Sequence, residues 1–235
     1  HNMTPPLMIS ALGELAISRV PHTRKETLQA FDQADLLALN HLQAEALLDA
    51  NCRVLVANES FGAMTCAVTK ALLAVGGPLP TLWSDSHLAH LGLQHNSYAN
   101  KLPLAHFVPA QDTPQGSFDI VIFRVPKSHA LLRDQLQRML PQLTPQALII
   151  MPVMVKHMDR SVYQLLESLV GALSTSLAHK KARLVFALNT KVTVGKSPQP
   201  EENRWQLPSL GLSLQHYSGV FSRTKLDPGA QVLLH

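Results

Sequence analysis

Two cysteines in 235 residues, Cys52 and Cys66, are too few for a disulfide framework or a cysteine-rich zinc site. Both lie in apolar surroundings and are expected to be buried thiols. Charge is sparse as well, at 15% Asp, Glu, Lys and Arg against 46% hydrophobic residues, which is the balance of a folded globular chain. No apolar run approaches the ~20 residues of a membrane-spanning helix. The opening His-Asn-Met has no basic stretch followed by an apolar one, so residues 1–3 read as a tag remnant plus an initiator Met. A soluble, cytoplasmic protein without a membrane partner is expected. There are twelve histidines, but none has the H-x-H or H-x-x-x-H spacing of a ligand pair, and no metal site is expected. His87, His90 and His95 read as polar positions along one helix. No internal repeat is found.

The net charge of +4 is unevenly placed. Residues 180–235 hold eight basic residues (Lys180, Lys181, Arg183, Lys191, Lys196, Arg204, Arg223 and Lys225) against Glu201, Glu202 and Asp227, a local balance of +5 that leaves −1 for the rest. Such a concentration suits a phosphate-binding surface, and equally a solvated face.

From Arg53 onward, short apolar runs alternate with helical periodicity. Strands are expected at 53–58, 80–85, 104–109, 118–126, 146–155 and 182–190, and helices at 62–74, 86–96, 127–140 and 159–173. Before them, 15–20 reads as a strand closed by Pro21, and 27–48 as one long helix or two joined at Asn40. After them, 205–208 and 212–217 read as strands without intervening helices. Strands alternating with helices imply a mostly parallel sheet covered on both faces: an α/β, Rossmann-like, doubly wound domain with a β-rich C-terminal part.

In such folds a ligand binds at the carboxyl ends of the strands, above all at the first strand-to-helix turn. Here that turn is "ANESFGAM", residues 57–64. A nucleotide or S-adenosylmethionine site usually needs several glycines there. This turn has only Gly62, and carries Glu59 and Phe61 in the gap. Asp85, after the second of these strands, could hold a ribose hydroxyl or cap the next helix. After the 118–123 strand, base-methylating enzymes would place an Asn-Pro-Pro-aromatic loop, and the chain has "RVPKS" (124–128). Ser60 has no nucleophile-elbow context, and no carboxylate pair has a recognisable spacing. No catalytic residue is assigned.

Four collinear blocks, "VLVANESFGAMTCAV" (54–68), "RVPKSHALLRDQLQRML" (124–140), "KKARL" (180–184) and "GVFSRTKLDPGAQVLLH" (219–235), resemble the amino-terminal half of bacterial ribosomal RNA guanine-N2 methyltransferases. The resemblance is nearer to the large-subunit enzymes, methyltransferase G, than to the small-subunit enzymes, methyltransferase C. It covers the chain from about residue 12. It implies that residues 4–218 form a degenerate class I methyltransferase domain and that 219–235 begin a catalytic domain, which would carry the glycine-rich loop, the Asn-Pro-Pro-Phe motif and the S-adenosylmethionine.

The resemblance further implies a parent enzyme methylating a guanine N2 of 23S ribosomal RNA, with this half inactive alone and binding no cofactor. Its partners would be ribosomal RNA and its own catalytic domain. Lys180, Lys181, Arg183, Arg124 and Lys127 are the candidate RNA-backbone contacts, with Arg223 and Lys225 behind them. Phe221 and Ser222 could line the mouth of the cofactor pocket. Lys180 and Lys181 could instead be a solvated helix end, and Arg183 could pair with an acid such as Glu167. A module that only packs on and stabilises the catalytic domain, and a free-standing S-adenosylmethionine enzyme, are the competing readings.

Overall fold

The computed structural model describes residues 6–20, 30–85 and 87–189, together with the two-residue strand Gln215–His216. The expected strand at 205–208, all of the expected strand at 212–217 except Gln215–His216, and the segment 219–235, with Phe221, Ser222, Arg223 and Lys225, lie outside the described residues. The chain divides into two compact units, one ending at Pro114 and one beginning at Gln115.

In the first unit, β1 (Leu7–Ser10) and β2 (Gly13–Ala16) form an antiparallel hairpin. Helix α1 (Gln33–Ala44) follows, then β3 (Val54–Ala57), α2 (Ala63–Ala74), β4 (Thr81–Ser84), α3 (His87–Ala99) and β5 (His106–Pro109). Strands β3, β4 and β5 pair in parallel with β4 in the middle. Strands β3 and β4 are buried throughout, with Trp83 fully enclosed and its indole N–H donating to the Asp112 carbonyl at 2.9 Å. That burial is why their sequences are continuous apolar runs instead of alternating ones.

The strand expected at 15–20 ends at Ala16 instead. Beyond it the backbone is held by side chains. Asn100 accepts from the Ala16 N–H and donates to its carbonyl, both at 2.8 Å, and Asn96 does the same to Ser18 at 3.0 Å. Two carboxamides one helical turn apart, Asn96 in α3 and Asn100 just past its end, thus stand in for a partner strand. The first helix starts at Gln33, where Asp32 and Asp35 form a reciprocal capping box, and it runs unbroken through Asn40.

The second unit holds β6 (Phe118–Phe123), α4 (His129–Met139), β7 (Leu143–Met154), α5 (Arg160–Val170), β8 (Ser174–Thr175), β9 (Ala182–Leu188) and β10 (Gln215–His216). Their order is β10-β8-β9-β7-β6. Strands β6 and β7 are parallel, and the remaining pairs are antiparallel. Strand β8 was not expected from the sequence, being only two residues long. No described helix is long and apolar enough to cross a membrane.

Candidate nucleic-acid interface

The turn after β3 is filled by its own side chains. Glu59, 5% exposed, turns back so that its Oε1 accepts from the Met64 N–H at 2.7 Å and its Oε2 from the Thr65 N–H at 2.8 Å; the Thr65 hydroxyl also donates to Oε2. Those two amides belong to the first turn of α2, whose N–H groups have no partner within the helix and sit at the positive end of its dipole. Gly62, in the capping position with φ +78°, has no side chain to serve them. The Ser84 hydroxyl, at the end of β4, donates to the Glu59 carbonyl at 3.0 Å.

The rest of the turn is pressed onto α3. A Cβ on Gly62 would come within 2.9 Å of the Leu93 Cα, and one on Gly92 within 2.9 Å of the Phe61 Cα. Asn96 donates to the Phe61 carbonyl at 2.8 Å, and the Arg19 guanidinium lies 5.0 Å from the Phe61 ring centre. A cofactor needing close backbone approach at this turn does not fit the residues present. Asp85 is exposed at the end of β4. Nearby in the same unit, burial pushes the Cys66 thiol up to about 12, so it is inert as a nucleophile. Among the described residues, no group of three or more His, Cys, Asp or Glu could hold a metal ion.

Four of the five RNA-contact candidates reach one edge of the second unit. Strands β6 and β7 are parallel, so the loops after them emerge on the same side, and antiparallel β9 starts there. Arg124 and Lys127 follow β6, while Lys180 and Lys181 precede β9. The structure adds Lys156, His157 and Arg160, which follow β7, and His179; all four are exposed. The Val155 N–H donates to the Lys181 carbonyl at 2.9 Å, tying the loop after β7 to the turn before β9. The Ser161 hydroxyl and the Val162 N–H hold the Asp159 carboxyl below its usual range, with a smaller contribution from His129 at the start of α4. Asp159 is the one acid in these loops, and it is engaged in capping α5.

Lys180 and Lys181 do not end a helix. They are the two central residues of a tight hairpin turn closed by His179 and Ala182, which exchange hydrogen bonds of 2.7 and 3.0 Å. Both lysines have positive φ, +50° and +66°. Such turns ordinarily carry Asn-Gly, since a side chain in the left-handed region costs about 1–2 kcal/mol. Both lysines are exposed.

Arg183 is the correction. It points inward from β9, is 1% exposed, and cannot present its guanidinium to an RNA backbone. It hydrogen-bonds Tyr163 of α5, whose hydroxyl burial raises above the usual phenol range while the arginine pulls the other way. Its Nε and Nη2 have no hydrogen-bond acceptor among the described residues. The omission of Lys156 and Arg160 had a usable signal: "KHMDR" directly follows an expected strand, on the side where such sheets bind ligands.

Solved structures place this architecture in a class. The chain is similar to a methyltransferase from Pyrococcus furiosus, at 12% identity and a TM-score of 0.54 over 75% of this chain and 89% of that one. It is also similar to a ribosomal protein L11 methylase from Lactobacillus delbrueckii, at 12% identity and a TM-score of 0.53 over 72% and 90%. The fold is the Rossmann-like α/β fold of S-adenosylmethionine-dependent methyltransferases. More narrowly, the chain belongs to the family of the RLMG N-terminal domain, whose pattern matches residues 6–191. Its relatives include the ribosomal RNA large subunit methyltransferase G of Pseudomonas putida, 43% identical over 233 residues, which span 97% of this chain and 59% of that protein. The chain thus spans about three fifths of the length of the curated relatives it matches.

Proposed function

We propose that this chain is the non-catalytic, RNA-gripping part of an S-adenosylmethionine-dependent guanine-N2 methyltransferase acting on large-subunit ribosomal RNA. The observation that carries the reading is the turn at Lys180 and Lys181, where two long cations are kept in a backbone conformation that favours Asn-Gly. A strained conformation retained at an exposed, charged turn supports a role outside folding. Lys156 and Arg160 beside it, and Arg124 and Lys127 after β6, extend the same edge. The Glu59 carboxylate on α2 supports a part that leaves cofactor chemistry to the rest of the enzyme.

An exocyclic amine conjugated with a purine ring is a poor nucleophile, so alignment with the sulfonium methyl supplies much of the rate. Phosphate contacts on a second lobe fix the register of the RNA and contribute to that alignment without reading sequence. A packing role, in which this part stabilises the catalytic one, is favoured by one separate feature. Leu88, Leu91 and Tyr98 lie along α3 in the first unit, 49%, 36% and 87% exposed.

The test is the double variant Lys180→Asn, Lys181→Gly, measured for stability and for binding to a large-subunit ribosomal RNA fragment at several salt concentrations. The reading expects stability to rise by about 1–2 kcal/mol as the left-handed strain is relieved. It also expects weaker RNA binding, with a salt slope reduced by roughly 0.7–0.9 per lost phosphate contact. Unchanged affinity and slope would reject these lysines as phosphate contacts.

A further inference from the structure

We infer that the phosphates received by this edge belong to a double-helical segment of RNA and not to unpaired nucleotides, an inference that rests on the RNA-gripping reading above. Proteins that hold single strands combine cations with exposed aromatic faces, each stacked base contributing about 1–3 kcal/mol. Recognition of loops and bulges likewise splays bases onto aromatic rings. The second unit offers no phenyl, phenol or indole platform among its described residues. Phe118, Phe123, Tyr163 and Phe186 are all buried, at 5%, 0%, 7% and 1% exposure.

The exposed rings on the edge are the imidazoles of His129, His157 and His179. His157 and His179 each adjoin a lysine, where an imidazole adds a hydrogen-bond donor to a phosphate site.

The geometry also suits a stiff partner. The three basic loops hang from β6, β7 and β9, which are neighbours in the sheet. Strand spacing puts them in a row roughly 10 Å across. Their bases are fixed by strand pairing and by the bond from Val155 to Lys181. Duplex RNA presents phosphates and 2′-hydroxyls at set spacings and hides its base edges in a deep, narrow major groove, so it is recognised by shape and backbone. A fixed row of cations with no phenyl, phenol or indole platform among the described residues matches that display.

The experiment compares binding of the 235-residue chain to a hairpin RNA with a stem of about 16 base pairs and to an oligouridylate of equal length, at the same series of salt concentrations. The hairpin is expected to bind at least about tenfold more tightly, a difference of ~1.4 kcal/mol. Lys180→Glu with Lys181→Glu should abolish hairpin binding, whereas His157→Ala with His179→Ala should keep the preference for the hairpin. Equal or tighter binding of the oligouridylate overturns the inference, as does loss of the preference in the histidine variant, which would assign that preference to imidazoles stacked on the unpaired bases of the hairpin loop. If neither RNA binds in a salt-dependent way, the RNA-gripping reading falls and this inference falls with it.

Discussion

The Glu59 carboxylate and Thr65 meet twice at the start of α2, through the Thr65 backbone N–H at 2.8 Å and through its hydroxyl. The same carboxylate serves Met64. In a Rossmann-like fold this is the turn where the backbone ordinarily approaches a ligand. Here a side chain from three residues before the capping position takes the amides, and α3 closes over the loop.

Replacing that carboxylate exposes its structural role. Glu59→Ala leaves two amides and a hydroxyl without their acceptor at a buried site and should destabilise the chain by about 2–4 kcal/mol. Glu59→Gln keeps an acceptor oxygen and should cost less. Urea unfolding of both variants against the parent checks the order and size of the losses.

A second prediction concerns Arg183. Arg183→Ala leaves a cavity under α5 and removes the hydrogen bond to Tyr163, for an expected loss of about 2–4 kcal/mol. The residue is enclosed, so the salt slope of RNA binding should not change. Denaturant unfolding and an RNA titration of the same sample separate the two effects. A lower salt slope in a folded variant would return Arg183 to the list of phosphate contacts.

Acid should weaken the first unit through His41. This residue is 2% exposed on α1, and burial lowers its pKa from 6.5 to about 4. Between those values the unfolded chain binds a proton that the folded chain refuses. The contribution of neutral His41 is therefore complete above about pH 7 and is lost as the pH falls from 6.5 toward 4, amounting to ~3 kcal/mol. Stability measured across this range for the parent and for His41→Leu should show the parent losing more. Parallel curves would assign the acid sensitivity to other groups.

The parallel strands were readable because burial on both faces writes itself as short apolar runs. Strands β3, β4, β5 and β6 lie within the expected segments, trimmed by one to three residues, as does antiparallel β9, whereas β7 begins three residues before its expected start. Elements whose partners are distant in sequence were not readable. The end of β2 is set by Asn96 and Asn100, some 80 residues further on, and a two-residue strand such as β8 leaves no periodicity. In the site, the single glycine and the bulk at Glu59 and Phe61 marked the turn as unusual, but Glu59 lies too far from the usual capping position to be recognised as the cap. Arg183 was misplaced for a related reason. A charged residue in a short basic run looks exposed, and only the burial of β9 along nearly its whole length in the folded sheet shows that its side chain is enclosed.

The most direct measurement is a thermal melt of the 235-residue chain with and without S-adenosylmethionine at saturating concentration. If Glu59 and the packed turn take the place of the ligand, the midpoint should be the same in both samples. A cofactor binding the folded state at about a hundredfold over its dissociation constant would add ~2.7 kcal/mol, a rise of roughly 5–10 °C for a chain of this size. A rise of that order would contradict the filled turn and make this chain a cofactor-binding unit in its own right.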